Sequence, residues 1–354
     1  MTEIEQLPEF DGHEMVLRLY DRSTNLRGFI AIHNTHAGPA VGGTRFAHYA
    51  SEEEALRDAL RLSRAMTYKC ALAKVPYGGG KAVLMAPKNA SAAEKLKNEK
   101  YFAAYARRIA LLDGHFFTGE DVGLTKRDIE ILAKHSESII GRPAVGGLPA
   151  HWAALSVFES MRAALKTVFG NDSFKGRTVA IKGLGNVGSD LAMLLHKAGA
   201  QIVGAEKNQD RLRAVQKKIP SMRSVSPEAI LTQTADILSL CALGGDLSEK
   251  TIAKLKVKIV CGAANNQLAT PRDSARLAKR GIVYIPDYVA NGGGLINVVD
   301  ELDAKGYDRA RVERRVSQVR KTVTDILTAA KKNRCAPDAI ADQIGKKRFA
   351  GSRA

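Results

Sequence analysis

The stretch from Arg177 to Glu206 constrains the fold more than any other part of the chain. Arg177-Thr178-Val179-Ala180-Ile181-Lys182 is a short apolar run that predicts a buried strand, and Gly183-Leu184-Gly185-Asn186-Val187-Gly188 follows it directly. Leu191, Leu194 and Leu195 then recur at helical spacing, and Gln201-Ile202-Val203-Gly204-Ala205 predicts a second strand ending at Glu206. Strand, tight turn, helix and strand make a βαβ unit, which commits this part of the chain to a parallel sheet covered by helices. A lone G-x-G-x-x-G string means little, but in this setting each glycine has a task. Gly183 permits the turn, Gly185 lets backbone approach a pyrophosphate across Asn186 and Val187, and Gly188 lets the helix pack closely on the strand. Glu206 stands where a carboxylate accepts hydrogen bonds from adenosine ribose hydroxyls and repels a 2′-phosphate, which favours NAD over NADP. Lys207, directly after it, works against that preference.

Ala235-Asp236-Ile237-Leu238-Ser239-Leu240-Cys241 and Ile259-Val260-Cys261-Gly262-Ala263-Ala264-Asn265-Asn266 predict later strands of the same sheet with their C-terminal loops. Ligands of such sheets lie at those strand ends, which makes Ala263 and Asn265 candidate cofactor contacts. Val283 to Tyr288 predicts a further strand, and Asn291-Gly292-Gly293-Gly294-Leu295-Ile296-Asn297 a glycine-rich turn into a helix. Arg309 to Lys332 reads as one long charged helix.

The N-terminal half carries candidate chemistry of another kind. Met15-Tyr20 and Gly28-His33 predict two strands of a hairpin around the turn residues Asp21 to Asn25. Ser51-Glu52-Glu53-Glu54 is a capping box, after which Ala55, Leu56, Ala59, Leu60, Leu62 and Met66 continue an amphipathic helix towards Thr67-Tyr68-Lys69. Tyr77-Gly78-Gly79-Gly80-Lys81 predicts a glycine turn that places Lys81 at the edge of a short buried strand, Val83-Met85. Ser91-Ala92-Ala93-Glu94 is a second capping box, expected to open a helix to about Leu112. Thr118-Gly119-Glu120-Asp121-Val122-Gly123 closes the set. A lysine beside closely approaching backbone, with Lys69 nearby, loses hydration and meets like charge. Both effects lower its pKa and fit it for general-base work.

Composition narrows the function classes. A chain of 354 residues predicts two domains, divided in the Gly- and Pro-rich stretch Gly141 to Pro149. We expect 1–148 as a substrate domain, 149–325 as a Rossmann domain, and 326–354 as a C-terminal helix and basic tail that returns to the first. No apolar run approaches the ~18 residues needed to span a bilayer, and Met1 to Asp11 is acidic and unlike a signal peptide, so a cytoplasmic protein is expected. Cys70, Cys241, Cys261 and Cys335 are widely spaced, which suggests neither disulfides nor a zinc site and predicts four small buried residues. His33 and His36 lack neighbouring ligands, so no metal is expected. The net charge of +17 raises nucleic-acid binding, but the basic residues are spread along the chain without interleaved aromatics, which argues against a specific nucleic-acid partner.

The glycine-lysine pattern, the Thr-Tyr-Lys segment and Gly-Glu-Asp-Val-Gly occur together in one order, with Gly38-Pro39-Ala40-Val41-Gly42-Gly43-Thr44-Arg45 before them. In this the chain resembles the glutamate, leucine, phenylalanine and valine dehydrogenase family, on its leucine dehydrogenase-like side, from about Gly38 to Glu301. The resemblance implies an α/β protein: an N-terminal substrate domain and a Rossmann dinucleotide-binding domain with a cleft between them. It implies reversible NAD-dependent oxidative deamination of an L-amino acid to a 2-oxo acid and ammonia, by a homo-oligomer. Lys69 would hold the substrate carboxylate, Lys81 would be the general base, and Asp121 would shuttle a proton to or from the amino group. Gly42 and Gly43 would lie against the substrate, and Asn265 and Asn291 near nicotinamide and substrate. The family's glutamate enzymes carry a lysine where Val41 stands and a hydroxyl where Val298 stands. With Gly119 and Leu295, these valines imply a leucine- or valine-like side chain, with phenylalanine or tryptophan as the alternative and a non-catalytic NAD-binding relative as the contrasting class. The family's Pro-Ser-x-x-Thr-Ala segment is here Pro149-Ala150-His151-Trp152-Ala153-Ala154, which has lost both hydroxyls.

Overall fold

The computed structural model describes residues 3–242 and 244–350. The chain forms two compact units: residues 1–147 with Val298–Tyr307 and 345–354, and Leu148–Asn297 with Asp308–Ile344. Within the C-terminal segment, 326–344 pack with the second unit and 345–350 with the first.

In the first unit β1 (Met15–Asp21) and β2 (Leu26–Asn34) form an antiparallel hairpin whose turn uses Asn25 at φ 59°. Then come β3 (Ala40–Val41), β4 (Thr44–Ala47), α1 (Glu52–Ala73), β5 (Gly78–Met85), α2 (Ala90–Leu96), α3 (Glu99–Ala110), β6 (Phe116–Phe117), α4 (Lys126–Ala133) and the short α5 (Pro143–Gly146). The sheet runs β1-β2-β5-β3-β6, with β4 also paired to β5. Side chains of β5 alternate between two cores. Ala82 and Leu84 join Tyr101, Phe102, Tyr105 and Ile109 of α3 and Ile129 and Leu132 of α4 on one face. Val83 joins Ala55, Leu56, Ala59 and Leu60 of α1 on the other.

Three local expectations are corrected. Gly78, Gly79 and Gly80 are strand rather than turn, so Lys81 lies in mid-strand. A Cβ at Gly78 would fall 1.8 Å from the Asn34 carbonyl oxygen, and one at Gly79 2.1 Å from the Thr67 nitrogen. Close approach of backbone, not turn geometry, is why glycine stands there. The helix expected from Ser91 starts two residues earlier, capped by the Asn89 side chain, and ends at Leu96, and Asn98 caps a new helix, α3. At α1 the Ser51 hydroxyl accepts the Glu54 N–H, but the Glu54 carboxylate reaches back to Ala50 rather than to Ser51.

The second unit opens with α6 (Pro149–Phe169) and continues β7 (Thr178–Lys182), α7 (Asn186–Lys197), β8 (Gln201–Ala205), α8 (Gln209–Lys218), β9 (Arg223–Ser224), β10 (Ile237–Leu240), α9 (Glu249–Ile252), β11 (Ile259–Val260), α10 (Arg272–Lys279), β12 (Val283–Tyr284), α11 (Asp287–Ala290) and α12 (Gly293–Val299). All strand pairs are parallel, in the order β12-β11-β10-β7-β8-β9. This is a doubly wound sheet that reverses direction at β7, directly before the glycine loop. Its core contains Ala180, Val203, Leu238, Leu240, Val260, Leu277 and Tyr284. The charged segment after Arg309 is two helices, α13 (Arg309–Ser317) and α14 (Val319–Asn333), and α15 (Pro337–Ala350) follows where a basic tail was expected. Lys346, Lys347 and Arg348 are on α15, and 351–354 lie outside the described residues. Cys70 and Cys261 are buried and Cys241 partly so, but Cys335 is exposed, contrary to expectation. Among the described residues no helix is long and apolar enough to cross a membrane.

Candidate active site

In the first unit the polar residues gather where β3, β4, β5 and the loop after β6 converge on α1. Gly79, Lys81 and Val83 share the α1 face of β5, and Lys81 is 6% exposed. Its Nζ lies 2.7 Å from Oδ2 of Asp121. Gly43 makes room for that carboxylate, since a Cβ there would meet the Asp121 Cβ at 2.9 Å. Gly42 permits β3 to close on β5, since its Cβ would fall 1.9 Å from the Gly80 oxygen and 3.2 Å from Met66 Cγ. Lys69, partly exposed, is one turn beyond Met66 on the same side of α1, which runs past both to Ala73. Gly119 is buried against the Ile140 carbonyl. Val41 is fully buried, paired with Gly79 and Phe117, and Val298 lies over Gly141, whose Cβ would meet its Cγ1 at 3.3 Å.

Burial lowers the Lys81 pKa below the ordinary lysine value, against the pull of Asp121. A like charge that adds to this is the guanidinium of Arg45. Burial would raise the Asp121 carboxyl, but the Lys81 ammonium and the Arg45 guanidinium prevail and hold it below its usual range. Arg45 Nε lies 3.3 Å from the same Oδ2, and its Nη1 is 2.9 Å from Asp58 of α1. Tyr49 donates its hydroxyl to Asp58 at 2.7 Å, and Arg61 closes on Asp58 at 2.6 Å. Beneath this network a buried chain of hydroxyls joins Thr44 to Tyr105 and to Thr118, each at 2.7 Å, and so fixes β4 to the segment that carries Asp121. Arg45, Asp58, Tyr105 and Thr118 had no assigned role in the sequence. The one signal was Asp58 itself, an acid among the buried positions Ala55, Ala59 and Leu62 of an amphipathic helix.

The second unit fits a dinucleotide. Gly183 has φ +94° and its Cβ would strike Ala242 at 2.8 Å. Gly188 packs α7 onto the loop so closely that a Cβ would fall 1.9 Å from the Gly183 oxygen. Above Gly185 the space is open, with Arg211 Nη1 at 3.9 Å as the nearest atom to a Cβ placed there. Asn186 and Val187 form the first turn of α7, whose N–H groups suit an anion. Glu206 follows β8, and its carboxylate accepts the N–H groups of Leu184 and Asn208 at 2.8 and 3.0 Å. Burial would raise its pKa, but these N–H groups hold it below the usual value, so the position is anionic. Lys207 beside it is exposed.

Asn291 is 5% exposed and donates to the Ala263 carbonyl at 3.0 Å and to Asn265 Oδ1 at 2.7 Å, while its own Oδ1 is buried without a protein partner. An orphaned amide oxygen beside Ala263 and Asn265, at the C-terminal ends of the strands, fits a ligand that brings its own N–H. Leu295, 7% exposed, lies on α12 just beyond. Ser156 holds this turn from α6, donating to the Ala290 carbonyl at 2.6 Å and accepting the Gly293 N–H at 3.0 Å. The sequence had drawn attention to the absent hydroxyls at Ala150 and Ala153, and the hydroxyl that grips the turn is three residues beyond the second of them. Trp152 is buried in this unit beside His151, with Arg309 over its ring at 5.6 Å.

Residues 14–138 match the model of the Glu/Leu/Phe/Val dehydrogenase dimerisation domain, and residues 150–352 the glutamate/leucine/phenylalanine/valine dehydrogenase model. The chain is 41% identical to the valine dehydrogenase of Streptomyces coelicolor, over 97% of its own length and 93% of that protein's. It is 41% identical to the leucine dehydrogenase of Geobacillus stearothermophilus, over 95% and 90%. Among solved structures, L-tryptophan dehydrogenase from Nostoc punctiforme matches with a TM-score of 0.84 at 37% identity, over 97% of each chain. A buried lysine-carboxylate pair in one unit, a glycine-loop sheet in the other and likeness along almost the whole length converge on one assignment. The chain is an amino-acid dehydrogenase, an oxidoreductase of the glutamate/leucine/phenylalanine/valine dehydrogenase family.

Proposed function

We propose that the protein catalyses the reversible, NAD-dependent oxidative deamination of an apolar L-amino acid, leucine- or valine-like, to the 2-oxo acid and ammonia. The observation that carries this reading is the buried Lys81–Asp121 pair at 2.7 Å, two titratable groups whose surroundings suit them to move protons. The Lys69 ammonium binds the substrate α-carboxylate. A bound nicotinamide would supply the acceptor for the hydride that leaves Cα. Neutral Lys81 takes a proton from the water that attacks the resulting imine carbon, while Asp121, anionic at rest, takes a proton from the substrate ammonium before hydride transfer and returns it to the departing amine. In reverse, the same groups act with roles exchanged.

Gly183, Gly185, Asn186, Val187 and Gly188 hold the pyrophosphate, Glu206 the adenosine ribose, and Ala263, Asn265 and Asn291 the carboxamide end. The anionic Glu206 favours NAD, opposed by the neighbouring charge of Lys207. Val41, fully buried, and Val298 offer no partner to a second carboxylate, whose burial there without one would cost several kcal/mol. The side chain they accept, with Gly119, Gly42, Gly43 and Leu295, is apolar. The chain works as a homo-oligomer, in keeping with a matched segment described as a dimerisation domain.

The test is absorbance at the reduced-nicotinamide band with NAD or NADP and a panel of L-amino acids, with Lys81→Ala as control. Turnover with leucine or valine that falls at least ~100-fold in the control, while NAD binding persists, is the expected result. Preference for tryptophan or phenylalanine would move the assignment to the aromatic alternative, and NAD binding without any turnover would overturn the reading.

A further inference from the structure

We propose that Arg45, anchored by Asp58, is a positioning residue that fixes the Asp121 carboxylate and supplies the permanent counter-charge against which Lys81 can give up its proton. The inference rests on the function proposed above. Arg45 and Lys81 meet on one oxygen, Oδ2 of Asp121, at 3.3 and 2.7 Å, and they come from two paired strands, β4 and β5. A buried lysine paired with a single carboxylate is a poor base, because losing its proton leaves that carboxylate uncompensated in a site of low polarity. Arg45 removes this obstacle. Its guanidinium does not titrate in the working range, so Asp121 keeps a cation beside it in both states of Lys81.

The arrangement is built rather than incidental. The Arg45 fork spans two carboxylates, with Nε on Asp121 and Nη1 on Asp58. Asp58 is held in turn by the Tyr49 hydroxyl and by Arg61. The Thr44 hydroxyl chain pins the residue next to Arg45 to Thr118 and Tyr105. A lysine at position 45 could not bridge both acids, since an ammonium lacks the planar fork. The charged and titratable groups around Lys81 are Asp121 from the loop after β6, Arg45 from β4 and Asp58 from α1. Tyr49 and Arg61 stand behind Asp58, and the exposed Glu120 lies beside Asp121.

Signs follow from charge. Removing Arg45 takes a repelling cation from Lys81 and leaves Asp121 to stabilise the ammonium alone, so the alkaline limb on which the base loses its proton moves up. Removing the charge of Asp58 moves it down. The experiment measures kcat and KM against pH for the whole enzyme and for Arg45→Met, Arg45→Lys and Asp58→Asn. Acylation of Lys81 by acetic anhydride, mapped by peptide mass at each pH, follows the same proton without turnover. Arg45→Met is expected to raise the limb and the Lys81 acylation midpoint together by about 0.5–1 unit. Its kcat should fall at least ~10-fold with a smaller change in KM. Arg45→Lys should keep the limb near its original place while kcat stays low, and Asp58→Asn should lower both midpoints. Limb and acylation midpoint unmoved in Arg45→Met and Asp58→Asn would reduce Arg45 to a staple between β4 and α1 and overturn the proposal. Should Arg45→Met fail to fold, Asp58→Asn decides by itself, since an unmoved or raised midpoint there contradicts the model. Absence of turnover in the parent with every amino acid would count against the proposed function, and the acylation midpoints would still decide the electrostatic claim.

Discussion

Ser156 and Ser160 offer a matched pair of perturbations, being two fully buried serines one turn apart on α6. The Ser156 hydroxyl, 3.0 Å from the Ala153 carbonyl of its own helix, also serves another element: it donates at the shorter 2.6 Å to the Ala290 carbonyl and accepts the Gly293 N–H, on either side of Asn291. The Ser160 hydroxyl donates at 2.8 Å to the Ser156 carbonyl of its own helix. Ser156→Ala deprives two buried backbone groups of their partner at about 1–3 kcal/mol each, so with partial relaxation roughly 2–4 kcal/mol of stability is lost. Ser160→Ala removes a bond that a helix does not need and should cost within about 0.5 kcal/mol. At roughly 2–4 °C per kcal/mol for a unit of this size, Ser156→Ala should melt roughly 5–12 °C lower and Ser160→Ala within about 2 °C of the parent. The assay is a thermal scan of both variants at one protein concentration and one scan rate, with NAD titration alongside. Ser156→Ala should also bind NAD more weakly, since the Asn291 turn loses its clamp. Equal melting of the two variants would refute the reasoning, because it would mean that the foreign backbone groups find other partners at no cost.

Other expectations are shorter to state. Gly79→Ala places a methyl 2.1 Å from the Thr67 nitrogen, so β5 and α1 must part, and the variant should lose soluble yield and several kcal/mol of stability in urea melts. Burial, with the neighbouring His13 adding to it, drives His33 down to about 4. The unfolded chain therefore binds the extra proton first, and stability falls as pH drops from ~6.5 towards ~4, by up to roughly 3 kcal/mol. Urea midpoints at pH 7.5 and 5 should show roughly 2 kcal/mol of that loss, and His33→Gln should flatten it. Glu206→Ala should narrow the preference for NAD over NADP, read as the ratio of kcat/KM with the two cofactors, and an unchanged ratio would remove Glu206 from cofactor choice.

What the sequence revealed and what it hid divide along physical lines. The Rossmann half was legible because its glycines, apolar runs and Glu206 obey local rules within one βαβ unit. Lys81 and Asp121 were legible as residue types, and their meeting was not, since 40 positions separate them and nothing local encodes a shared Oδ2. Gly78 to Gly80 misled because glycine commonly marks a turn, and here its lack of a side chain serves close packing against Asn34, Thr67 and Phe116. The helix expected from Ser91 to Leu112 broke at Asn98 because an asparagine that caps well outcompetes continuation. Arg45–Asp58 and Ser156 escaped notice because a hydrogen bond between distant elements leaves no periodic trace.

The path of the chain between the two units has a consequence for its synthesis. It passes from one to the other after Gly147, Asn297, Tyr307 and Ile344, and the last residues of the first unit include Phe349, whose ring packs on His33 and Tyr68, and Arg348, which donates to the Ala71 carbonyl. On the ribosome, the half that emerges first is therefore the half that is finished last. Its α1 face waits uncovered while some two hundred further residues are made, and a nascent chain stalled before residue 345 carries a first unit that lacks its closing piece.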